Sequence, residues 1–246
     1  MLGSSAFGFA RAVVDPLLTV VFPSSCVVCA EALASPTAGP LCHPCWTALP
    51  RHRDPQCACG LAVGRGVPLP CGRCRRGLSP FRHGASLGPY EGGLRSVVHE
   101  LKYRGRRRLA PRLVQALLEQ PAVRRVIEPA AVIVPVPLHP RRLRERGFNP
   151  AELLGRELAR ATGLRAVSTA LVRRADTASQ SGLSAAARRR NVAGAFIVRR
   201  RPAIAGRIVV LVDDVFTTGA TLRACADALR QAGAAEVRVL TLARVA

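Results

Sequence analysis

Residues 208–221 of this chain read IVVLVDDVFTTGAT, and this stretch indicates the kind of fold. Its first five residues, 208–212, are apolar and mostly β-branched, which is typical of a strand buried on both faces of a parallel sheet. Two aspartates follow at the point where we expect the strand to leave the sheet. Residues 221–232 then show the pattern of an amphipathic helix. The stretch therefore predicts a strand, a short loop and a helix in succession.

The loop in this stretch has the chemistry of a phosphate site. Five small residues form it, three of them with hydroxyl groups: Thr217, Thr218, Gly219, Ala220 and Thr221. Small side chains let backbone N–H groups approach a ligand, and the start of a helix favours an anion. Asp213 and Asp214 would repel a phosphate, so they are better suited to accept hydrogen bonds from sugar hydroxyls or to orient a Mg²⁺ shell. The sequence thus predicts a phosphate and a ribose side by side.

The stretch has two other interpretations. The first is an ordinary strand–turn–helix corner with a capping threonine, although a cap needs one hydroxyl and no acid pair. The second is a nucleotide hydrolase, in which the aspartates would mark the magnesium-binding strand. Such an enzyme needs a phosphate loop that ends in Gly-Lys-Ser/Thr. The only lysine, Lys102, is followed by Tyr103, which excludes the hydrolase.

The composition favours anionic partners. The chain has 246 residues and a formal net charge of +22, and arginine supplies nearly all of the positive charge. Such an excess attracts nucleic acids and phosphorylated small molecules alike, although any single arginine run is equally well explained as a solvated face. No stretch is long and apolar enough to predict a membrane span, and no signal peptide is recognisable. We therefore expect a cytoplasmic protein with no membrane span.

Eight of the nine cysteines fall into four close pairs within residues 26–74. In chain order they are Cys26, Cys29, Cys42, Cys45, Cys57, Cys59, Cys71 and Cys74. Two such pairs can complete a tetrahedral site of four thiolates, which suits Zn²⁺. Sequential pairing gives one site from the first four cysteines and one from the last four, and crossed pairing is the alternative. The spacing predicts two zinc ribbons with one or two structural ions, while disulfides are disfavoured in a reducing compartment.

The rest of the chain alternates between strand and helix patterns. Strands are predicted at 83–90, 131–134, 208–212 and 237–242, and helices at 94–103, 108–120, 150–162 and 221–232. This alternation predicts an α/β fold with a doubly wound parallel sheet. In such sheets ligands bind beyond the carboxyl ends of the strands. We therefore expect the two unusual strand exits, 135–149 and 213–221, to face each other, with a rigid proline-rich loop in the first.

Several segments carry a family resemblance. The stretch 208–221 resembles the 5-phosphoribosyl-1-pyrophosphate (PRPP) signature of type I phosphoribosyltransferases. Residues 101–105 (LKYRG), 135–137 (PVP), 146–149 (RGFN) and 174–196 are similar to the ComF family, the late-competence phosphoribosyltransferase-like proteins, which also carry an amino-terminal double zinc ribbon. In the last segment the matching residues are Thr177, Gln180, Leu183, Arg188, Asn191, Gly194, Ala195 and Phe196. The chain departs from the family pattern at Pro150, where glutamine is usual, and at the Cys57-x-Cys59 spacing.

Residues 77–80 (GLSP) have the composition of a turn and mark a boundary, which together with the resemblance predicts a division into three parts. These are a lead-in segment at 1–25, a double zinc ribbon at 26–77 and a domain of the type I phosphoribosyltransferase kind at 78–246. The resemblance also implies PRPP with Mg²⁺ in a defined site. The loop 217–221 would hold the 5-phosphate, Asp213 and Asp214 the ribose hydroxyls, and a second loop the pyrophosphate. The residues of that second loop are Pro137, Leu138 and His139, and Arg144 and Arg146 would neutralise the pyrophosphate as it leaves.

The function implied is transfer of a pentosyl group from PRPP by a phosphoribosyltransferase, a glycosyltransferase linked to DNA uptake and natural transformation. The expected partners are PRPP, single-stranded DNA and other competence or DNA-uptake proteins. Two alternatives stay open. One is a single-stranded DNA-binding competence factor without catalysis, and the other is a regulator that senses PRPP.

Overall fold

The computed structural model describes residues 25–33, 40–53, 55–64, 66–77, 79, 81–174 and 195–245. The lead-in segment and most of the family-like positions within 174–196 lie outside this description. The chain divides into two compact units. Unit 1 comprises Met1–Pro50 and Glu91–Leu109, and unit 2 comprises Arg51–Tyr90 and Ala110–Ala246. The predicted domain boundary near residue 77 stays a prediction.

The described helices are α1 (His43–Thr47), α2 (Gly72–Arg75), α3 (Gly92–Tyr103), α4 (Leu109–Leu118), α5 (Pro121–Ile127), α6 (Pro140–Arg146), α7 (Pro150–Thr162) and α8 (Ala220–Gln231). The described strands are β1 (Gly84–Pro89), β2 (Val132–Pro135), β3 (Arg165–Ala166), β4 (Leu171–Arg173), β5 (Phe196–Val198), β6 (Ile208–Phe216) and β7 (Glu236–Arg244). None of the helices in the described ranges combines the length and the apolar character that crossing a bilayer requires.

Unit 2 is built on a parallel sheet with the order β1-β7-β6-β2-β3. Successive residues of a strand point to opposite faces. On one face Val209 and Leu211 of β6 share a core cluster with α8. On the other face Val212 lies beside α4 and α7 at a small apolar void. Helices therefore cover both faces, and the prediction of a doubly wound parallel sheet is confirmed.

Strand β6 is longer than the sequence predicted. We expected it to end at Val212, but it runs through the two aspartates to Phe216. The reason lies in its two neighbours. Strand β2 ends at Pro135, which pairs with Val212, whereas β7 continues to Arg244 and keeps the ladder of β6 intact as far as Phe216. The acid pair therefore lies on a strand that is free on one side only.

The basic segment after β2 is only partly a loop. We expected an extended loop from residue 135 onward, but α6 begins at Pro140. Proline is tolerated in the first turn of a helix because its missing N–H would have no intrahelical partner there. Nδ1 of His139 accepts a hydrogen bond from the Arg141 N–H at 3.2 Å and so caps the helix. The irregular parts are therefore residues 136–139 before α6 and residues 147–149 after it.

Candidate functional site

The strand order places a crevice between β2 and β6. From β2 the chain moves outward to β3, and from β6 it moves in the other direction to β7 and away from β2. This reversal is a topological switch point, where doubly wound sheets bind their ligands beyond the carboxyl ends of the strands. The Val136 N–H donates to the Val212 carbonyl at 2.9 Å, so the two strand exits leave the sheet side by side. The two sequence-predicted loops therefore meet at one edge of the sheet.

The loop after β6 is shaped by Gly219. Its φ of 75° is left-handed, and it serves as the N-cap of α8. The side chains of Thr217 and Thr218 are exposed at the surface of the loop. Thr218 Oγ1 accepts a hydrogen bond from the Ala220 N–H at 3.4 Å. Two hydroxyl groups and the first amides of a helix are thus presented at the crevice, which is an arrangement that favours an anion.

The loop rests on the ring of Phe216. A Cβ atom added to Gly219 would lie only 2.7 Å from Cζ of that ring. The ring is buried, and Phe81 packs against it edge-to-face with 6.2 Å between ring centroids. On another side, the guanidinium carbon of Arg244 lies 4.1 Å from the Phe216 centroid, within the range of a cation–π contact. The Phe216 ring therefore limits how closely the loop can pack against the end of β6.

The two aspartates differ in their surroundings. Asp213 is half-buried and its Oδ1 accepts a hydrogen bond from the Asp214 N–H at 2.9 Å. Asp214 is buried, with 9% of its surface exposed. Both lie on the last residues of β6 before the loop, next to the crevice edge that β2 leaves uncovered. The two carboxylates thus follow each other on β6 and point to opposite faces of the strand, and two residues separate them from the anion-favouring loop.

The opposite wall of the crevice follows β2. Pro137, Leu138 and His139 are half-buried there. Asn149 closes this segment, since its Nδ2 donates to the Val136 carbonyl at 2.9 Å while its Oδ1 accepts from the Ala151 N–H at 3.1 Å and caps α7. Asparagine of the RGFN segment therefore fixes the end of the loop to the start of a helix. In the last turn of α6, Arg144 is exposed and Arg146 half-buried.

The first cysteine quartet lies in unit 1. Its members are Cys26, Cys29, Cys42 and Cys45, whose sulfur atoms all lie within 4.8 Å of one another. Cys29 Sγ and Cys42 Sγ are 3.7 Å apart. Four sulfurs at a Zn–S distance of about 2.3 Å form a tetrahedron with edges of about 3.8 Å. The spacing of the sulfurs therefore fits a zinc ion.

The second quartet lies in unit 2 and has the same construction. Its members are Cys57, Cys59, Cys71 and Cys74, again within 4.8 Å of one another. The Sγ atoms of Cys57 and Cys74 are 3.6 Å apart, and those of Cys59 and Cys71 are 3.8 Å apart. In each quartet the third cysteine precedes a short helix, α1 or α2. The sulfurs meet in the sequential pairing, and the tight Cys57-x-Cys59 spacing is compatible with a complete quartet.

One thiol in each quartet has a lowered pKa, so it ionises more readily than an ordinary cysteine. Burial would raise the pKa of Cys26, but the backbone N–H groups of Cys29 and Cys42 lower it to about 6. Burial likewise opposes ionisation of Cys57, while the N–H groups of Cys71 and Cys59 lower its pKa to about 7. A metal ion then displaces the remaining thiol protons, so the donor set fits Zn²⁺.

The second quartet is attached to the sheet through backbone contacts. The Gly84 N–H at the start of β1 donates to the Ala58 carbonyl at 2.7 Å. A Cβ on Gly60 would lie 2.8 Å from the Gly84 carbonyl carbon, so the two backbones approach too closely for any side chain. Arg244 Nη1 donates to the Cys59 carbonyl at 3.1 Å. The guanidinium that contacts Phe216 beneath the loop therefore also holds the turn of the second quartet.

Two family models match the chain. The "Phosphoribosyl transferase domain" covers residues 143–246, and the "Double zinc ribbon domain" covers residues 17–82. The "DNA utilization protein YhgH" of Salmonella typhi is 38% identical over 232 residues, which are 93% of this chain and 99% of that protein. The chain belongs to the ComF family.

Another relative of this ComF-family chain is "Competence protein F" of Haemophilus influenzae, which is 34% identical over 179 residues, 71% of this chain and 78% of that protein. Among solved structures, a glutamine phosphoribosylpyrophosphate amidotransferase from B. subtilis, complexed with ADP and GMP, has 24% identity and a TM-score of 0.40. That match covers 58% of this chain and 30% of the other.

Some residues that shape the site were not found from the sequence. Arg244 and Phe81 both contact Phe216 but lie far from it along the chain. They lie close to Phe216 because of the order of strands in the sheet, and a local sequence pattern does not predict that order. The hydrogen bond from Asn149 to the Val136 carbonyl was not foreseen either. The ComF resemblance identified the segment but not this contact.

Proposed function

We propose that this protein binds PRPP in the crevice between β2 and β6 and transfers its phosphoribosyl group to an acceptor in a process connected with DNA uptake or utilisation. The observation that carries the proposal is the acid pair of β6, with the hydroxyl-rich loop and the start of α8 after the end of that strand, at the switch point of the sheet. The family models and the names of the relatives support the same assignment.

Each part of PRPP has a matching part of the crevice. The 5-phosphate is assigned to the loop Thr217–Thr221, where exposed hydroxyls and helix amides can donate to it. The ribose hydroxyls are assigned to Asp213 and Asp214, because carboxylates are strong acceptors. The pyrophosphate is assigned to Pro137, Leu138 and His139, across the crevice from the acid pair.

Mg²⁺ fits this site, since carboxylate oxygens are ligands that it prefers. Asp213 and Asp214 would hold it, directly or through its water shell, and it would neutralise charge on the pyrophosphate. Arg144 and Arg146 are proposed to add positive charge where the pyrophosphate leaves. Phosphoribosyl transfer passes through a cationic, oxocarbenium-like state, so the chemistry depends on positioned charge more than on a nucleophile of the protein.

The test is PRPP binding by the double variant Asp213→Ala/Asp214→Ala, measured by calorimetry in the presence of Mg²⁺. Two charge-assisted hydrogen bonds contribute roughly 1.5–3 kcal/mol each, so affinity should fall by about 100-fold or more. Asp213→Asn/Asp214→Asn keeps the shape of both side chains and guards against a folding defect. Asp227→Asn, on the exposed side of α8, is the matched control. Unchanged PRPP affinity in both double variants contradicts the proposal.

The two alternative functions are separated by a second measurement. Release of pyrophosphate that depends on an added nucleobase or nucleic acid supports the transferase. PRPP binding without any such release supports a regulator that senses PRPP. Salt-sensitive DNA binding that survives in the aspartate variants supports a DNA-binding role independent of PRPP.

A further inference from the structure

A groove lined with arginine lies at the other edge of the sheet in unit 2. It is open and has a volume of about 730 Å³. Arg165, Arg199, Arg200 and Arg207 line it, together with Thr169. A neighbouring depression of about 370 Å³ shares Arg165, Thr169 and Arg200 with the groove. It adds Glu152 and Arg156, which are paired with each other, so the excess of positive charge is confined to the groove.

The position of the groove follows from the strands. Arg165 is the first residue of β3, and Arg207 directly precedes β6. In a parallel sheet all amino-terminal strand ends lie at one edge and all carboxyl ends at the other. The groove is therefore separated from the proposed PRPP site by the part of β6 that runs from Arg207 to Asp213, about 20 Å for six residues at about 3.3 Å each.

The charge of the groove is not balanced within the described part of the chain. No acidic residue lines it, and none of its four guanidinium groups has a side-chain partner there. This contrasts with other arginines of unit 2, such as Arg141 and Arg160, which are paired with glutamates. Among the described residues these four like charges therefore face one concavity without a counter-charge, and a polyanion would remove their mutual repulsion.

The shape of the groove selects among polyanions. Reading duplex DNA requires an element that projects into a DNA groove about 12 Å wide, such as a helix. This surface is concave, which suits a single strand whose backbone follows a positively charged groove. No aromatic side chain lines either depression within the described residues. Contacts would therefore be made to phosphates rather than to stacked bases.

We propose that the groove formed by Arg165, Arg199, Arg200 and Arg207 binds the phosphodiester backbone of single-stranded DNA, away from the PRPP crevice. The inference deepens the DNA-related part of the proposed function and rests on it. It does not depend on the PRPP assignment, because the two sites lie at opposite edges of the sheet. The binding it describes is independent of sequence and sensitive to salt.

The experiment replaces all four groove arginines with glutamine in the full chain. Its matched control replaces Arg82, Arg95, Arg104 and Arg108, which are exposed and do not line the groove, and so removes the same charge. Binding of a labelled single strand of about 16 nucleotides is followed by fluorescence anisotropy at several salt concentrations. The groove variant should lose at least about tenfold in affinity, and its salt slope should become shallower by about 2.8, or 0.7 for each of four phosphates.

The control variant should bind within about threefold of the wild type, since none of the charges that it loses lines the groove and exposed charges are screened by salt. Equal weakening of both variants would overturn the inference, because binding would then follow total charge. The inference would also be overturned if the wild-type protein did not bind single-stranded DNA, or if it bound duplex DNA of the same sequence more tightly. Calorimetry with PRPP on the groove variant separates the groove proposal from the PRPP proposal. The groove variant should bind PRPP with unchanged affinity. If the wild type does not bind PRPP, the PRPP proposal fails while the DNA-binding result still tests the groove.

Discussion

Gly219 is the residue on which the conformation of the anion-favouring loop depends most directly. Its φ is left-handed, and the Phe216 ring occupies the place where a side chain would begin. Gly219→Ala therefore combines backbone strain of about 1–2 kcal/mol with a steric conflict. We expect this variant to lose at least about tenfold in PRPP affinity, because the loop must lift away from the ring. Calorimetry measures the loss.

A suitable control is Gly163→Ala, since Gly163 has nearly the same φ of 74° but nothing within 4 Å of an added Cβ. It ends α7 and belongs to neither wall of the crevice. Both variants should lose similar stability from backbone strain, measured as the free energy of unfolding in urea. Equal PRPP affinities in the two variants would show that the ring contact does not shape the loop.

For single residues, the sequence predicted the chemical character of the loop but not the packing that holds the loop in place. Gly219 was expected because small residues allow close approach of a ligand, and the order of acids, hydroxyls and glycine was enough for that. The ring beneath it belongs to Phe216, to which the sequence pattern assigned no role. Whether an aromatic side chain turns under its own loop depends on what packs beside it, here Phe81 and Arg244.

Among the elements, the carboxyl end of β7 connects the second cysteine quartet to the loop. Arg244 contacts the Phe216 ring and donates to the Cys59 carbonyl, and burial lowers the pKa of its guanidinium from its usual range. Arg244→Met keeps the aliphatic stem but removes both polar interactions. We expect the free energy of unfolding to fall by about 1–2 kcal/mol, the sum of a hydrogen bond and a cation–π contact less the recovered cost of burying a charge.

Urea unfolding of Arg244→Met and of Arg82→Met provides the comparison. Arg82 is exposed, so its loss should change stability by less than about 0.5 kcal/mol. If both substitutions prove neutral, Arg244 is not a link between the strands and the quartet. Arg244→Lys should recover little, because an ammonium lacks the planar fork that stacks on the ring while donating to the carbonyl.

The long elements were predictable because each carries a periodic pattern over many residues. Strand β6 and helices α3, α7 and α8 follow that rule. Strand β3 has only two residues, and β4 and β5 have three each, so their pairing depends on neighbours rather than on their own sequence. Helix α6 was missed because its arginines show no apolar face and the prolines before it suggested a loop.

For the whole molecule, the regular cysteine spacing suggested one module with two similar ribbons. The spacing predicted that the two cysteines of a close pair share a site, but it left both the sequential and the crossed pairing open, and the structure shows the sequential one. The division of the quartets between two compact units was not predictable, because it depends on residues 91–109 joining unit 1 and on β1 joining unit 2. The quartets are alike in construction but have different neighbours.

This division leads to different outcomes for loss of the two metal sites. Cys57→Ser/Cys59→Ser should remove one zinc ion per chain and also loosen the turn that Gly84 and Arg244 hold, so PRPP affinity should fall by at least about fivefold. Cys26→Ser/Cys29→Ser should remove one zinc ion as well, but its quartet shares no described bond with the loop of unit 2, so PRPP affinity should stay close to wild type. Native mass spectrometry counts the zinc ions, and calorimetry on the same samples measures PRPP affinity. Equal affinities after loss of either ion would mean that the second quartet stabilises only its own ribbon, and that the Arg244 contacts do not extend its influence to the crevice.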